Sequence, residues 1–411
     1  MLQLIKFELI KLVKRKSSIA VVLVGLVVTA FLFALPVFQF RYYTESGPLE
    51  GAAGIAAEKA DENGTGGLMT GEFVANEVRS YQTLFDNPEN VGTDGVEETI
   101  VGPAYWNDVA PRERLLQTIA FTYDAPGDYR GLSTLRALDV AECEAFYEAR
   151  DAKVSAILEA PTRELGSEAR AFWESKSRSV GTPFEYGYYR GWDVILTSFE
   201  LLVFSILAVC IALAPVFSGE YLSGTDSILL SSRYGRTKLA TAKVAASLLF
   251  GTAAFTLIVA VALAIPLAFF GTDGWNLPVQ ISNTAIPYNL TFLGAVTLNL
   301  GVIYLVLFAM MGLTLFLSSK MKSPYLVLVV LVPVLFLPLF LAPTGTAGLF
   351  NQTLFLLPYR ATMPELDKFI TYQLGPLVVD AFVARAVVYL ACCAACLPLA
   401  KRAFGHHQIS G

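Results

Sequence analysis

Six long apolar stretches divide this chain of 411 residues. Each holds about 18 or more mostly apolar residues, which is the length that a helix needs to cross a bilayer. They lie at 18–40, 194–218, 242–271, 289–318, 325–343 and 378–400. The composition agrees with this pattern, since 55% of the residues are hydrophobic and only 16% are charged. We therefore predict an all-α membrane protein with six transmembrane helices.

The charges between the spans predict the side on which each connection lies. The segments 1–17, 219–243, 319–324 and 401–411 hold 5, 4, 2 and 2 Lys or Arg. Segment 41–193 instead carries 14 basic and 27 acidic residues. Because basic connections stay in the cytosol, we predict cytosolic termini, with a tail at 401–411, and an extracytoplasmic domain at 41–193. The net charge of −5 divides between the two sides and gives no indication of nucleic-acid binding.

The residues before the first span have helical periodicity. The apolar positions of this pattern are Leu2, Ile5, Leu9 and Leu12, and the basic ones include Lys6, Lys14, Arg15 and Lys16. We predict that 1–17 is an amphipathic elbow helix lying on lipid headgroups. The alternative is a plain basic flank of a membrane anchor.

The polar connection between the second and third spans has the pattern of a short capped helix. Thr225 and Asp226 are favourable N-cap residues, and Gly235 can end a helix in a left-handed turn. Its apolar face consists of Ile228, Leu229 and Leu230. A connection that only reversed the chain would not need caps at both ends. We therefore predict that 219–241 contacts another protein in the cytosol.

This connection resembles the coupling-helix segment of the permease subunits of type-2 ATP-binding-cassette (ABC) exporters. The resemblance rests on Glu220, Gly224-Thr225, Leu229-Leu230-Ser231-Ser232, Tyr234-Gly235-Arg236, Leu239 and Lys243. It departs at Arg233, where the family often has proline. It extends to the elbow helix, the six spans and the connection before the last span. The domain at 41–193 has no counterpart in the family core, although bacterial members do carry large insertions at this place.

The resemblance implies partners and a mechanism. In this family the coupling helix docks on a separate ATPase subunit, which binds ATP and Mg²⁺, so this chain would hold no cofactor. The complex would sit in a bacterial cell membrane and contain two permease copies, identical or related, and two ATPase subunits. Closure of the ATPases would shift the helix at about 225–233 as a rigid body and move an outer gate. The coupling residues implied here are Glu220, Gly224, Thr225, Asp226, Leu229, Leu230, Arg233 and Arg236.

Segment 41–193 is long enough to bury a modest core of its own. Its first part, 44–104, is rich in glycine and acids, and we expect a flexible acidic section there. Pro111 is typical of the first turn of a helix, Ser133 can cap a longer helix, and a third helix is predicted at 163–178. The insertion between the first two spans is therefore predicted to be mostly helical.

The sequence shows no catalytic arrangement. Its two histidines, His406 and His407, lie in the C-terminal tail, where we expect them to be solvated and far from carboxylates. It contains no G-x-x-x-x-G-K-[ST] phosphate loop, so ATP-driven transport would need a separate ATPase. Three cysteines have helical spacing, but small residues that let helices approach closely explain them better than a metal does; they are Cys392, Cys393 and Cys396.

Glu200 and Arg385 fall within predicted spans at similar depth. An isolated charge at the centre of a bilayer costs on the order of 3 kcal/mol, so each needs a partner or access to water. Our hypothesis is that they pair inside the bundle near an outer gate. The alternative is that each side chain extends outward to the headgroups. The nearby segment 344–377 either dips into the outer leaflet as short re-entrant helices, as the resemblance implies, or lies on the surface.

The sequence therefore favours a non-enzymatic permease subunit of an ATP-driven exporter. One alternative is a permease that transmits force to envelope or peptide targets through its outer domain, although such proteins usually have four spans. Another is a membrane-anchored ligand sensor, which would not need a capped basic connection at 219–241. A secondary transporter would show internal repeats and more charges within its spans.

Overall fold

The computed structural model begins with two helices that meet at a sharp bend. The amphipathic helix α1 (Leu2–Lys14) is followed by one extended residue, Arg15, and then by the apolar helix α2 (Lys16–Phe38). The helix predicted at 1–17 is therefore present as a separate element, and its position on lipid headgroups stays a prediction. The described residues are 1–93, 95, 97–232 and 234–407.

Residues 41–193 form the mostly helical domain predicted between the first two spans. Its described helices are α3 (Gly51–Asn63), α4 (Gly71–Thr83), α5 (Gly102–Ala104), α6 (Glu113–Tyr123), α7 (Leu132–Ala137), α8 (Val140–Cys143), α9 (Phe146–Glu159) and α10 (Ser167–Arg178). Three antiparallel strand pairs accompany them: β1 (Arg41–Thr44) with β2 (Gly47–Glu50), β3 (Gly67–Met69) with β6 (Phe184–Tyr186), and β4 (Val91–Thr93) with β5 (Glu98–Ile100). The β3–β6 pair joins the first third of the domain to its end, with Leu68 opposite Glu185.

Two expectations for this domain are wrong. The part at 44–104, expected to be a flexible section, contains α3 and α4, each of 13 residues. The long helix predicted from Ser133 is divided into α7, α8 and α9. The division follows from local capping, because the side chain of Asp139 accepts a hydrogen bond from the Ala141 amide and starts α8. The helices predicted near Pro111 and at 163–178 correspond to α6 and α10.

The rest of the chain is the helical bundle and its short connections. Its described helices are α11 (Arg190–Ser198), α12 (Leu202–Leu213), α13 (Pro215–Leu222), α14 (Asp226–Ser231), α15 (Ala240–Phe270), α16 (Phe292–Lys320), α17 (Pro324–Phe336), α18 (Gly348–Leu356), α19 (Pro358–Ala361) and α20 (Ala381–Gly405). A hairpin of β7 (Thr371–Leu374) and β8 (Leu377–Asp380) precedes α20. We call the end of the bundle that carries α1 and α14 the basic end, and the end that carries 41–193 the domain end.

Five helical stretches in the described ranges are long and apolar enough to cross a membrane. They are Lys16–Phe38, Arg190–Leu222, Gly235–Phe270, Phe292–Lys320 and Ala381–Gly405. The prediction of a helical membrane protein is thereby supported, and these five correspond to predicted spans. The predicted span at 325–343 is shorter, because α17 continues only as one 3-10 turn, Leu337–Leu339. That helix is about 26 Å long, against roughly 30 Å for a hydrocarbon core.

Small and polar side chains hold the long helices together. Gly312 of α16 faces α20 so closely that an added Cβ would lie 3.3 Å from the Cβ of Cys396. This close contact agrees with the packing interpretation of the cysteine run. Thr29 and Ser205 share a buried hydrogen bond of 2.7 Å that joins α2 to α12.

The domain at 41–193 packs onto the connections at the domain end of the bundle. The indole of Trp173 in α10 donates to the Thr371 hydroxyl at 2.7 Å, and its ring meets Tyr288 and Phe369 edge to face. Lys176, one turn later, forms an ion pair with Asp380 at the start of α20. The domain and the bundle therefore share one continuous core at the domain end.

Trp173→Ala tests this attachment. Trp173 is fully buried, and truncation of a buried tryptophan costs about 3–5 kcal/mol of unfolding free energy. We expect that loss in chemical denaturation of the purified chain in detergent. Tyr129→Ala is the matched control, since Tyr129 is 60% exposed and should change stability by about 0.5 kcal/mol or less. Equal effects of the two substitutions would show that α10 does not anchor the domain.

Candidate functional site

The connection at 219–241 is a short helix between two tight turns. The chain leaves α13, turns at Gly224 with a φ of +69°, forms α14, becomes extended at Ser232, and enters α15 through a π-helical turn at Gly235–Leu239. The short helix predicted here is present. Arg233, one of the predicted coupling residues, lies outside the described residues.

The turns of this connection differ from the prediction. Thr225 occupies the N-cap position of α14, but its backbone is already helical and its side chain makes no capping bond. Its hydroxyl donates to Glu220 Oε2 at 2.6 Å. The left-handed glycine is Gly224 rather than Gly235. Gly235 is required for space, since an added Cβ would lie 1.7 Å from the Leu229 carbonyl oxygen.

The three apolar residues of α14 do not form one exposed face. Ile228 is 73% exposed, whereas Leu230 is only 3% exposed and belongs to the main core. Leu229 is half-buried. The predicted docking role of Leu230 is therefore corrected, because its side chain packs inside this chain. The other large apolar or aromatic side chains that are exposed among the described residues of the connection are Leu222 and Tyr234.

A buried ionic cluster holds the connection to α1 and α15. Lys243 of α15 is 2% exposed, and its ammonium donates to Glu8 Oε2 at 3.0 Å and to Glu220 Oε1 at 2.8 Å. Lys11 adds a second ion pair to Glu220. We call Glu8, Lys11, Glu220 and Lys243 the basic-end cluster. Its two cations and two anions cancel, and they come from three helices, so α1, α13 and α15 are joined as one unit.

Arg236 and Asp226 contact the last turn of α20 and the residues that follow it. Arg236 donates to the carbonyl oxygens of Leu230 at 3.2 Å and Gly405 at 2.9 Å. Asp226 lies 3.7 Å from His407 Nε2, and His407 stacks on Tyr221 with ring centroids 4.1 Å apart. The expectation that His407 is solvated and far from carboxylates is therefore wrong. The last turn of α20 packs against the connection.

The predicted Glu200–Arg385 pair is also wrong, since each residue has a different partner. Arg385 is fully buried and forms an ion pair of 2.5 Å with Glu365. Glu200 accepts a hydrogen bond of 3.2 Å from the Tyr359 hydroxyl. Both partners belong to 344–377, which lies between the predicted spans, so a comparison of charges within the spans could not indicate them. We call 344–377 the outer segment.

Arg385 also completes the hydrogen bonding of the outer segment. Its guanidinium donates to the carbonyl oxygens of Phe355, Met363 and Arg360 at 2.9–3.0 Å. These carbonyls lie at or just beyond the C-terminal ends of α18 and α19, where helices leave acceptors without partners. Burial raises the pKa of the Glu365 carboxyl, although the adjacent Arg385 opposes the shift. Asn299 of α16 donates to the Thr362 carbonyl at 2.9 Å.

A further ionic cluster joins the domain at 41–193 to α11, the first helix of the bundle after the domain. Glu58 of α3 accepts from Arg190 Nε at 3.1 Å with both oxygens, and Arg114 of α6 pairs with Glu62 at 2.8 Å. Burial raises the pKa of the Glu62 carboxyl against the opposing charge of Arg114. No sequence pattern indicates this pairing, because the arginines and their glutamate partners lie far apart along the chain.

Comparison with protein-family models, with curated protein sequences and with solved structures finds no match for this chain.

Lys243→Met tests the basic-end cluster. Removal of one partner from a buried ion pair costs about 3–5 kcal/mol, because the remaining charge is left uncompensated. We expect a loss of this size in chemical denaturation, and we expect Glu8→Gln added to Lys243→Met to restore part of it. Lys238→Met is the control, since Lys238 is exposed and contacts only the Tyr234 ring among the interactions described. Losses that simply add would refute coupling between Glu8 and Lys243.

Proposed function

We propose that this chain is the membrane-spanning permease subunit of an ATP-driven ABC exporter. In this proposal the shorter helix α17 is the fifth of six spans, α1 is the interfacial elbow, and both termini lie in the cytosol. Separate ATPase subunits bind ATP and Mg²⁺, and a second permease copy completes the complex in the cell membrane. The observation that carries the proposal is the helix α14, which presents the exposed apolar side chain of Ile228 between two long apolar helices.

The basic-end cluster supports this proposal, because it gives α14 a rigid connection to the bundle. Glu220 bonds Thr225 at the start of α14 and Lys243 at the start of α15. A push on α14 would therefore move α13, α15 and α1 together instead of bending a loop. Rigid-body displacement of packed helices is a common way to carry a change between distant sites.

The domain end supplies a candidate outer gate. The outer segment is held by Glu200 from the second span, Asn299 from α16 and Arg385 from α20. A relative shift of these helices would strain or release those bonds. The segment would then open or close the pathway as the bundle moves.

A second candidate function is force transmission to a target outside the membrane. The attachment of the outer domain to the start of α20, through Lys176 and Asp380, favours this possibility. Movement of α20 would be carried into the domain. Vesicle transport assays separate the two functions, since a force-transmitting permease moves no solute across the bilayer.

Ile228→Asp is the direct test of ATPase docking. A carboxylate at this exposed position should leave the fold intact, but it should lose apolar contacts with the ATPase and place an unpaired charge in the interface. We expect the purified variant to lose a co-purifying ATPase that carries a phosphate loop, together with its ATP-driven activity. Ser227→Asp is the matched control, because the neighbouring position points about 100° away around the helix. Retention of the ATPase by both variants would reject the coupling role of α14.

Cysteine labelling tests the orientation. In a background without the native cysteines, Ser232→Cys and Lys322→Cys at the basic end should react only with reagent on the cytosolic side. Ser46→Cys in the β1–β2 hairpin should react only from outside. All three positions are exposed. Labelling of position 232 from outside intact cells would overturn the assignment.

A further inference from the structure

A cleft of about 480 Å³ lies at the basic end between α1, α13 and α15. Its lining includes the apolar side chains of Phe7, Ile10 and Val216 and the basic side chains of Lys11, Lys14 and Arg15. A cleft of this size and composition has room for a charged head group together with part of an apolar chain.

The charges of the cleft do not balance. Its two carboxylates, Glu8 and Glu220, are already paired with Lys243 and Lys11 in the basic-end cluster. Among the residues that the structure describes, Lys14 and Arg15 have no carboxylate partner, and Arg15 makes only a long bond of 3.4 Å to the Pro215 carbonyl. The cleft therefore retains two positive charges that an anion would complement.

Two further features indicate that the anion belongs to a lipid. Lys14 and Arg15 stand at the bend between α1 and the membrane helix α2, which is the level of the headgroups if α2 crosses the bilayer. The hydroxyl of Ser247, fully buried in α15, lines the same cleft and has no hydrogen-bond partner. A glycerol or ester oxygen of a lipid would satisfy it.

We infer that this cleft binds an anionic phospholipid. The phosphate lies between Lys14 and Arg15, the glycerol region reaches toward Ser247, and one acyl chain follows Phe7, Ile10 and Val216 into the bilayer. Basic pockets between helices at the membrane surface are suited to such headgroups. The bound lipid would brace α1 against α13 next to the basic-end cluster. This inference requires only that the chain is embedded in a membrane, and it does not depend on an ATPase.

The test is lipid retention by the purified full-length chain. After delipidation in detergent, phosphatidylglycerol or phosphatidylcholine is added back, and bound lipid is counted by native mass spectrometry. We expect the wild type to prefer phosphatidylglycerol. Lys14→Gln with Arg15→Gln should weaken its binding about 30-fold, since each basic residue near an anionic headgroup contributes about 1 kcal/mol. The control is Lys6→Gln with Lys16→Gln, which removes the same charge from exposed positions that do not line the cleft.

Ile10→Glu is a second variant, at a position where the fold should be retained because Ile10 is 41% exposed. Its carboxylate lies on the path of the acyl chain and near the headgroup, so it should weaken the binding of phosphatidylglycerol strongly and that of phosphatidylcholine to a smaller extent. Equal weakening by the cleft pair and the control pair would overturn the inference in favour of diffuse surface charge. Equal retention of the two lipids would overturn it as well. Inorganic phosphate should not displace the lipid at concentrations comparable to that of the lipid, and displacement would indicate a simple anion site.

Discussion

A fully paired cation at each end of the bundle fixes how the chain is assembled. Lys243 is buried at the basic end and Arg385 at the domain end, and each is 2% exposed or less. A buried charge is tolerated only when oppositely charged and hydrogen-bonding groups surround it. Lys243 pairs with Glu8 of α1 and with Glu220 of α13. Arg385 pairs with Glu365 of the outer segment. Satisfying these two cations therefore sets the positions of the elements that flank the long helices.

The two clusters differ in what they hold. At the basic end, carboxylates on two helices converge on one ammonium, so the cluster fixes α1 and α13 against α15. At the domain end, one guanidinium binds three backbone carbonyls and a carboxylate of a single segment. The first arrangement joins rigid helices, whereas the second shapes an irregular segment. In the proposed transporter, the rigidly joined helices at the basic end would be displaced by the ATPase, and the outer segment at the domain end would change conformation in response.

Sequence patterns were sufficient for the long elements and insufficient for the contacts between them. Apolar length located the five long helices, helical periodicity located α1, Pro111 indicated α6, and the capping residues with the apolar run at 228–230 indicated α14. The orientation of Leu230 was not predictable, because three adjacent apolar residues give no indication of which one faces the core of the same chain. The partner of Arg385 was missed for a related reason, since Glu365 lies in a connection rather than a span. The position of a residue along its predicted span identifies residues of other spans at the same height in the bundle. It does not identify residues of a connecting segment, such as 344–377, that folds back to that height.

The outer segment shows why Arg385 is an arginine. Following the shorter helix α17, the chain forms α18 and α19 and ends each of them beside α20, where water has little access to the carbonyls. Buried irregular backbone is tolerated only if protein groups satisfy its polar atoms. The hydroxyl of Tyr389 bonds the Leu356 carbonyl at 2.6 Å, and the five donors of a guanidinium can reach several carbonyls at once. A lysine ammonium has three donors on a single atom and could not span the ends of both helices together with Glu365. The short helices and the buried arginine therefore depend on each other, and the same dependence ties the conformation of the outer segment to the position of α20.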